Sequence, residues 1–461
     1  MEWPPIVRLL VFAYAEHNMT DVRARRTNGD IDATRIAQHR INELSDYVIP
    51  VGTKGVPHAL AGSTLRQFVQ SGLNVLGGEL PMPVAVIKES ALDANISAMQ
   101  RFCDLHDVLL SPHGKTTLSP QLFARQIDAG AWAITAATPS HLRMYRSFGV
   151  DRIFYANQLV EPGSLRWLAA ELNDNPGFDF YCLVDSVAAV TILHDSLTAA
   201  GLSRPINVLI EIGYLGGRCG LRDRADAAGV AAAVDASNML HLRGVECFEG
   251  LLPGTRDDLS AVDGFLQLVA EVTRDLTHRS SLAQAESVLI SAGGSAYFDR
   301  VVQTFRYDNT FEVPPRIILR SGCYVTQDGG FYAQMSPLAG RASEAPALSN
   351  ALEVWAAILS RPEPGLVVTS MGRRDCSHDM GLPTPHWVAI EGYAPQQITG
   401  ATVLSMSDQH AHIGVPESFK GSVGDLVGCT VSHPCTTFDK WKILPLIDDD
   451  YHIVDAIVTA F

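Results

Sequence analysis

The sequence predicts a (β/α)8 barrel followed by an antiparallel β domain, and three observations support that fold class. Short apolar segments alternate with helical patterns through the middle of the chain, and eight of these segments follow the first helix. The stretches between them are long enough to cross from one parallel strand to the next, and eight such repeats match a closed barrel better than an open sheet. After about residue 335 the segments follow one another without crossover helices, as an antiparallel β domain requires.

The predicted strands divide the chain into three parts. The barrel strands are predicted at 108–111, 132–136, 152–156, 179–184, 206–211, 242–246, 287–291 and 316–320, and the β-domain strands at 352–359, 365–369, 387–390, 401–405, 425–432 and 452–460. A further apolar segment at 83–87 is surplus to the eight barrel strands, so we expect it to lie elsewhere. We therefore expect an N-terminal extension over 1–80, a barrel over 81–332 and a β domain over 333–461.

Composition excludes several classes of function. With 461 residues, 47% of them hydrophobic, the chain is globular and too long for one ordinary core. A net charge of -15 argues against nucleic acid and membrane surfaces as partners. The eight scattered cysteines form no CxxC pair, which predicts reduced thiols in the cytoplasm. Residues 6–15 are apolar and end in Ala-Tyr-Ala, but Arg8 interrupts them, so we do not expect an export signal.

A lysine follows the first predicted barrel strand. The stretch PHGKTT at 112–117 places Lys115 at the carboxyl end of that strand, where barrel enzymes carry their catalytic groups. An amine held there in a partly desolvated pocket has a lowered pKa and can form an imine with an aldehyde cofactor. The alternative is a solvated surface lysine in a turn.

A glycine pair follows the seventh predicted barrel strand. The stretch SAGGS at 291–295 allows the backbone N–H groups of Gly293 and Gly294 to approach an anion closely. Ser295 is predicted to cap the following helix, whose N-terminus adds further donors, and to be part of the cofactor site. Barrels of this kind bind phosphate in this region, although a glycine pair can also form an ordinary turn.

Two further stretches, GGRCG at 216–220 and RSGCY at 320–324, follow the fifth and eighth barrel strands. Arg218 could bind a carboxylate or a phenolate oxygen, and the hydroxyl of Tyr324 could donate to a phosphate. The alternatives are a surface ion pair and a turn.

The β domain contains the sequence Ser-His-Pro-Cys at 432–435. In an extended strand, His433 and Cys435 lie on one face and could share a metal. A thiolate beside an imidazole selects zinc over magnesium or manganese, and two protein ligands leave positions open for water or substrate. The alternative is that this triplet binds no metal.

Seven ordered stretches together resemble the D-serine dehydratase and D-threonine aldolase family of fold-type III, alanine-racemase-like pyridoxal-phosphate (PLP) enzymes. They are LPMPVAV at 80–86, PHGKTT, ANQLV at 156–160, GGRCG, SAGGS, RSGCY and SHPC. The resemblance implies that Lys115 is the Schiff-base lysine. It also implies that Gly293, Gly294 and Tyr324 hold the phosphate, and that Arg218 lies near the phenolic oxygen or the substrate carboxylate.

The same resemblance implies a metal site, a quaternary structure and a reaction. His433 and Cys435 would bind zinc or another divalent metal, the strand at 83–87 would belong to the β domain, and the enzyme would be a homodimer. The His-x-Cys pattern favours dehydration of a D-serine or D-threonine type substrate to a 2-oxo acid and ammonia, whereas the family's aldolases usually carry His-x-Asp.

Two departures from the family pattern concern the substrate. Phe248 stands where the family often has a tyrosine, and His410 lies in Gln-His-Ala instead of Glu-His-Gly, with a role that the sequence leaves open. Three alternatives to dehydration remain: a metal-dependent D-threonine-type aldolase, a racemase, and a non-catalytic PLP-binding homeostasis protein.

Overall fold

The computed structural model describes residues 33–256, 258–390 and 394–461. The apolar stretch at 6–15 lies outside these ranges. The described residues form an eight-stranded parallel sheet and a ten-stranded mixed sheet. No helix in this part of the chain is both long and apolar enough to cross a membrane.

The parallel sheet is the predicted barrel. Strand β1 (Val84–Lys88) lies outside it, and the barrel strands are β2 (Leu109–Leu110), β3 (Ile134–Ala136), β4 (Arg152–Gln158), β5 (Asp179–Val184), β6 (Ile206–Ile212), β7 (Leu240–Cys247), β8 (Val288–Ala292) and β9 (Pro315–Leu319). Their order is β2-β9-β8-β7-β6-β5-β4-β3. The barrel closes between β2 and β3, where Trp132 N donates to Leu110 O at 2.7 Å and Thr135 N donates to Pro112 O at 2.9 Å. The predicted fold class is confirmed.

Most of the helices cover the outside of the barrel and bury one apolar face, whereas the short helix at 65–70 packs against the β domain. The helices are α1 (Gln38–Glu43), α2 (Leu65–Gln70), α3 (Glu89–His106), α4 (Pro120–Asp128), α5 (Pro139–Ser147), α6 (Pro162–Asp174), α7 (Val187–Ala199), α8 (Ala225–Asp235), α9 (Ser260–Arg279), α10 (Phe298–Phe305), α11 (Phe331–Met335) and α12 (Cys435–Phe438). In α3 the buried residues Leu92, Ile96, Met99 and Cys103 recur every three or four positions, which gives an amphipathic helix. Helices α4, α5 and α6 each begin with a proline, which suits the first helical turn.

The mixed sheet forms the second domain. Its strands, besides β1, are β10 (Leu352–Glu363), β11 (Leu366–Thr369), β12 (Thr384–Ala389), β13 (Gln396–Gln397), β14 (Thr402–Met406), β15 (Ala411–Gly414), β16 (Leu426–Thr430), β17 (Ile443–Ile447) and β18 (Ile453–Val458). The surplus strand β1 pairs antiparallel with β10 and parallel with β17, so its predicted place in the β domain is correct. The sequence analysis missed β13, β15 and β17. Pro445 obscured β17, because proline removes a hydrogen-bond donor from a strand.

The described part of the N-terminal extension packs against the β domain. Ile49, Leu65 and Phe68 share a buried apolar cluster with Trp355 and Ile443. The extension also contacts the barrel, because the Thr34 hydroxyl donates to the Asp151 carboxylate at 2.8 Å. The described part of the extension therefore contacts both domains, while the exact domain boundaries stay predictions.

Candidate active site

Three of the predicted site loops meet at the carboxyl end of the barrel. They follow β2, β9 and β8, and these strands are neighbours in the sheet. His113 N donates to Ser321 O at 3.4 Å, and the Ser321 hydroxyl donates to Gly293 O at 3.1 Å. The loops that carry Lys115, Tyr324 and the glycine pair are therefore hydrogen-bonded into one surface.

Lys115 lies in the 3-10 helix Gly114–Thr116, directly after β2. Its side chain is exposed. Burial is the main cause that lowers the pKa of His113 and His141, and the Lys115 charge lowers both further, so the ammonium group lies near the two imidazoles. Gly114 is required beside it, since a Cβ there would lie 2.5 Å from Tyr145 Oη. The lysine thus lies at the barrel mouth, and its Schiff-base role stays a prediction.

The glycine turn binds a carboxylate in this structure. Gly293 N donates to Glu249 Oε2 at 3.2 Å, and Gly294 N donates to Glu249 Oε1 at 2.8 Å. Gly293 has φ of 91°, and a Cβ there would lie 2.6 Å from Leu319 Cδ2, so the turn requires glycine. Two adjacent N–H groups directed at one anionic group are the donor arrangement that a phosphate needs.

Ser295 does not cap the helix, and that prediction was wrong. Helix α10 begins at Phe298, with Tyr297 at the N-cap position and no side-chain cap. Tyr297 and Phe298 are both fully buried. Because their packing sets the path of the chain, three residues separate the glycine pair from the start of the helix. Ser295 lies in the intervening turn, and a contact between Ser295 and the cofactor stays a prediction.

Arg218 and Tyr324 lie in different environments. The guanidinium carbon of exposed Arg218 is 4.3 Å from the ring centroid of Phe248, and Phe248 also borders the glycine turn, 3.2 Å from a Cβ built on Gly294. Tyr324 is buried, its hydroxyl accepts from Gln126 Nε2 on α4 at 2.8 Å, and burial raises its pKa. The structure thus brings Arg218 close to the turn, whereas the Tyr324 hydroxyl faces a covering helix.

The pairing of Arg320 with Glu246 beneath the barrel mouth was missed by the sequence analysis. The Arg320 guanidinium contacts the Glu246 carboxyl group, and the two side chains are 6% and 2% exposed. Burial raises the pKa of Glu246 to about 8, although Arg320 opposes the shift. Among the described residues, His113 Nδ1, Ser291 Oγ and Arg320 Nε are buried without a hydrogen-bond partner. A charged residue at the end of an apolar strand was the available signal, and these atoms fit a polar ligand in the mouth.

The predicted metal pair does come together, but not in a strand. Strand β16 ends at Thr430, and Cys435 opens helix α12, so the extended geometry predicted for 432–435 was wrong. Pro434 takes helical angles between the two residues, because its ring fixes φ near the helical value. His433, Cys435 and a third residue, Cys323, place their ligand atoms within 4.8 Å of one another.

Cys323 comes from the barrel and was missed as a candidate ligand. Its Sγ lies 3.5 Å from Cys435 Sγ, although 112 positions separate the two residues. Cys435 Sγ also lies 3.4 Å from Thr116 Oγ1, next to Lys115 in the chain. Sequence spacing gave no signal for this contact. The only available hint was the position of the cysteine in the loop after the last barrel strand.

The pKa values of the two thiols and the imidazole in this cluster shift in different directions. The hydrogen bond between the two thiols lowers the pKa of Cys435 well below its usual range and raises that of Cys323. Burial alone would lower the pKa of His433, but Cys435 and Asp379 outweigh it and raise the value to about 9. These shifts favour a Cys435 thiolate beside a protonated His433 imidazole.

His410 lies apart from the contacts described for this cluster. It is exposed at the turn between β14 and β15, where its carbonyl accepts from Ser407 N at 2.8 Å. A role of His410 near the metal stays a prediction.

Comparisons with known sequences find similar proteins over much of the chain. A family model described as "Putative serine dehydratase domain" matches residues 351–447. A D-threonine aldolase from Arthrobacter sp. is 26% identical over 379 residues, which is 80% of this chain and 89% of that protein. A D-threo-3-hydroxyaspartate dehydratase from Delftia sp. (strain HT23) is 34% identical over 144 residues, or 31% of this chain and 36% of that protein.

Comparisons with solved structures identify the fold. D-threonine aldolase from Filomicrobium marinum has a TM-score of 0.69 at 21% identity, covering 83% of this chain and 96% of that one. A variant of D-threo-3-hydroxyaspartate dehydratase in a metal-free form has a TM-score of 0.62 at 20% identity, covering 83% and 98%. Alanine racemase of Clostridium difficile 630 has a TM-score of 0.55 at 11% identity, covering 82% and 99%. The fold and the resemblance predicted from the sequence are confirmed.

Proposed function

We propose that the protein, which resembles the D-threonine aldolase and D-serine dehydratase family of alanine-racemase-like PLP lyases, is a dehydratase of D-3-hydroxy amino acids. It would use PLP and zinc to convert a D-serine or D-threonine type substrate into a 2-oxo acid and ammonia. The observation that carries the proposal is the cluster of imidazole and thiol donors beside the Lys115 loop.

The residues at the barrel mouth fit PLP. Lys115 supplies an amine at the carboxyl end of β2, and the N–H groups of Gly293 and Gly294 converge on an anion, as a phosphate requires. Bound PLP would take up the electron pair that the broken Cα–H bond leaves behind. Lys115 would accept the Cα proton, and Arg218, on the ring that borders the turn, would bind the substrate carboxylate or the phenolic oxygen. Contacts of Tyr324 and Ser295 with the phosphate are part of this proposal.

The metal cluster fits zinc better than a hard cation. His433 and Cys435 offer nitrogen and sulfur, and sulfur selects zinc over magnesium and manganese. Zinc there would polarise the β-hydroxyl and help it to leave. The comparison structure of a D-threo-3-hydroxyaspartate dehydratase variant is in a metal-free form, which implies that this relative can also bind a metal.

A product assay tests the proposal. The purified protein is incubated with D- and L-serine, D- and L-threonine and bulkier 3-hydroxy amino acids, with zinc or with a chelator. We expect equal amounts of ammonia and 2-oxo acid from a D-substrate, and loss of both products with the chelator. Products from L-substrates alone contradict the stereochemistry. A protein that absorbs like a PLP imine but turns over no substrate is instead the non-catalytic carrier.

Aldol cleavage is the second candidate. The D-threonine aldolase relative matches 80% of this chain, whereas the dehydratase relative matches 31%. In this reaction a base removes the hydroxyl proton, the Cα–Cβ bond breaks, and the substrate gives glycine and an aldehyde. If D-threonine gives glycine and acetaldehyde without ammonia, the reaction is aldol cleavage and not dehydration.

We also propose that the enzyme is a homodimer, as the family resemblance implies. Sedimentation velocity of the PLP-loaded protein is expected to give about twice the mass of the 49.9 kDa chain. A single species of chain mass would exclude the dimer.

A further inference from the structure

We infer that Cys323 is a third protein ligand of the zinc, so that the metal site is a Cys2His site completed by the barrel. This inference deepens the proposed function and rests on its metal site. Two ligands come from the β domain, while Cys323 lies in the loop after β9 and precedes Tyr324. Cys323 is therefore far in sequence from the His-Pro-Cys triplet and could not be found from that motif.

The distances match a tetrahedral zinc site. Two zinc–sulfur bonds of about 2.3 Å at a tetrahedral angle separate the sulfurs by roughly 3.8 Å. The Sγ atoms of Cys323 and Cys435 are 3.5 Å apart, and the imidazole of His433 has a nitrogen within 4.8 Å of both. The sulfurs are too far apart for a disulfide, which needs about 2.05 Å. Small side-chain movements therefore suffice to place all three donors on one ion.

The surrounding structure holds Cys323 in this position. The residue is 6% exposed and opens the 3-10 helix Cys323–Val325. Gly322, immediately before it, packs against Thr116 and His113 of the Lys115 loop so closely that a Cβ would collide with both. Helix α12, which begins at Cys435, packs on that same loop. The barrel thiol is thus fixed against the β-domain thiol by the contact between the two domains.

The histidine is oriented from its outer side. His433 Nδ1 lies 2.7 Å from Asp379 Oδ2, and the Thr436 hydroxyl donates to the second oxygen of that carboxylate at 2.8 Å. A carboxylate on one ring nitrogen fixes the ring and leaves the other nitrogen for a metal. The cluster therefore has a ligand shell and a supporting hydrogen bond, as built metal sites do.

Three protein ligands make the site a catalytic one with a defined charge. Two thiolates neutralise Zn²⁺, and the fourth tetrahedral position stays open for the substrate hydroxyl. Two sulfur ligands also exclude the hard cations more strongly than one does. We therefore expect that neither magnesium nor manganese replaces zinc in this protein.

Cobalt substitution tests the inference without relying on activity. Each thiolate bound to Co²⁺ contributes to a sulfur-to-metal absorption band in the near ultraviolet. The PLP-free protein is loaded with Co²⁺ as wild type, Cys323→Ala, Cys435→Ala and Cys182→Ala. Cys182, buried in β5 away from the cluster, is the matched control. We expect about half the wild-type band in the first two variants, the full band in Cys182→Ala, and zinc affinity lowered at least about 10-fold in Cys323→Ala.

A full band in Cys323→Ala overturns the inference and leaves the two-ligand site intact. X-ray absorption of the zinc-loaded wild type gives an independent answer if that variant does not fold, with two sulfurs per zinc expected and one sulfur overturning the inference. Wild-type protein with two sulfurs on zinc that releases no product from any 3-hydroxy amino acid would overturn the proposed reaction and keep Cys323 as a ligand.

Discussion

The two sides of the proposed active site are built in different ways. The anion side consists of backbone N–H groups of Gly293 and Gly294 in a single loop after β8. The metal side consists of side chains from two domains, with Cys323 from the barrel and Cys435 from the β domain. A backbone site therefore follows from one local motif, whereas a side-chain site of this kind depends on how the domains pack.

The Lys115 loop joins both sides, so its loss is expected to have the largest effect. Lys115→Ala removes the amine that would hold the cofactor and accept the Cα proton, and turnover should fall by about 10³-fold or more. Ammonia release measured with saturating PLP and zinc checks this. Lys420→Ala, at an exposed position of the β domain, is the control and should keep full turnover. Turnover retained in Lys115→Ala would exclude this residue as the catalytic amine.

Loss of a metal ligand should lower turnover without preventing PLP binding. Cys435→Ala is expected to lower turnover at least about 100-fold, because a Lewis acid supplies several kcal/mol of transition-state stabilisation. The variant should still bind PLP, which its absorbance reports. Wild type treated with a chelator should fall to the same level. An active variant that no longer responds to the chelator would contradict a catalytic metal at this position.

A substitution in the glycine turn should weaken PLP binding and leave metal binding unchanged. Gly293→Ala places a Cβ 2.6 Å from Leu319 Cδ2 in a backbone conformation with φ of 91°, which costs about 1–2 kcal/mol. PLP affinity should fall by about 10-fold while zinc content stays unchanged. Gly229→Ala in α8, where a Cβ meets nothing within 4 Å, is the matched control. Equal PLP affinity in both variants would remove the turn from the cofactor site.

The buried Glu246–Arg320 pair should make the stability of the protein depend on pH. Burial raises the pKa of Glu246 from 4.5 to about 8, so between these values the folded protein keeps a proton that the unfolded chain has released. Stability should therefore fall as pH rises through this window, by on the order of 1 kcal/mol per pH unit. Glu246→Gln stays neutral and can still accept from Arg320, so it should lack this dependence. Urea unfolding at three pH values between 5 and 7.5 measures it, and parallel curves for both proteins would contradict it.

The sequence predicted the barrel because each strand and helix carries its own periodicity. The glycine pair was found for the same reason, since a short motif placed it at a strand end. Local reasoning failed where packing decides the geometry: Ser295 lost its cap position to buried Tyr297, and residues 432–435 left the strand for a helix. Cys323 could not be found, because its partner lies 112 positions away and spacing carries no information on that contact.

The most direct test of the account is the covalent link at position 115. Protein loaded with PLP is reduced with borohydride and digested, and the labelled peptide is identified by mass spectrometry. The account predicts a single pyridoxyl group on Lys115, with no label when unreduced protein is first stripped of PLP. Label on another lysine, or an unlabelled Lys115 in protein that retains PLP, would contradict it.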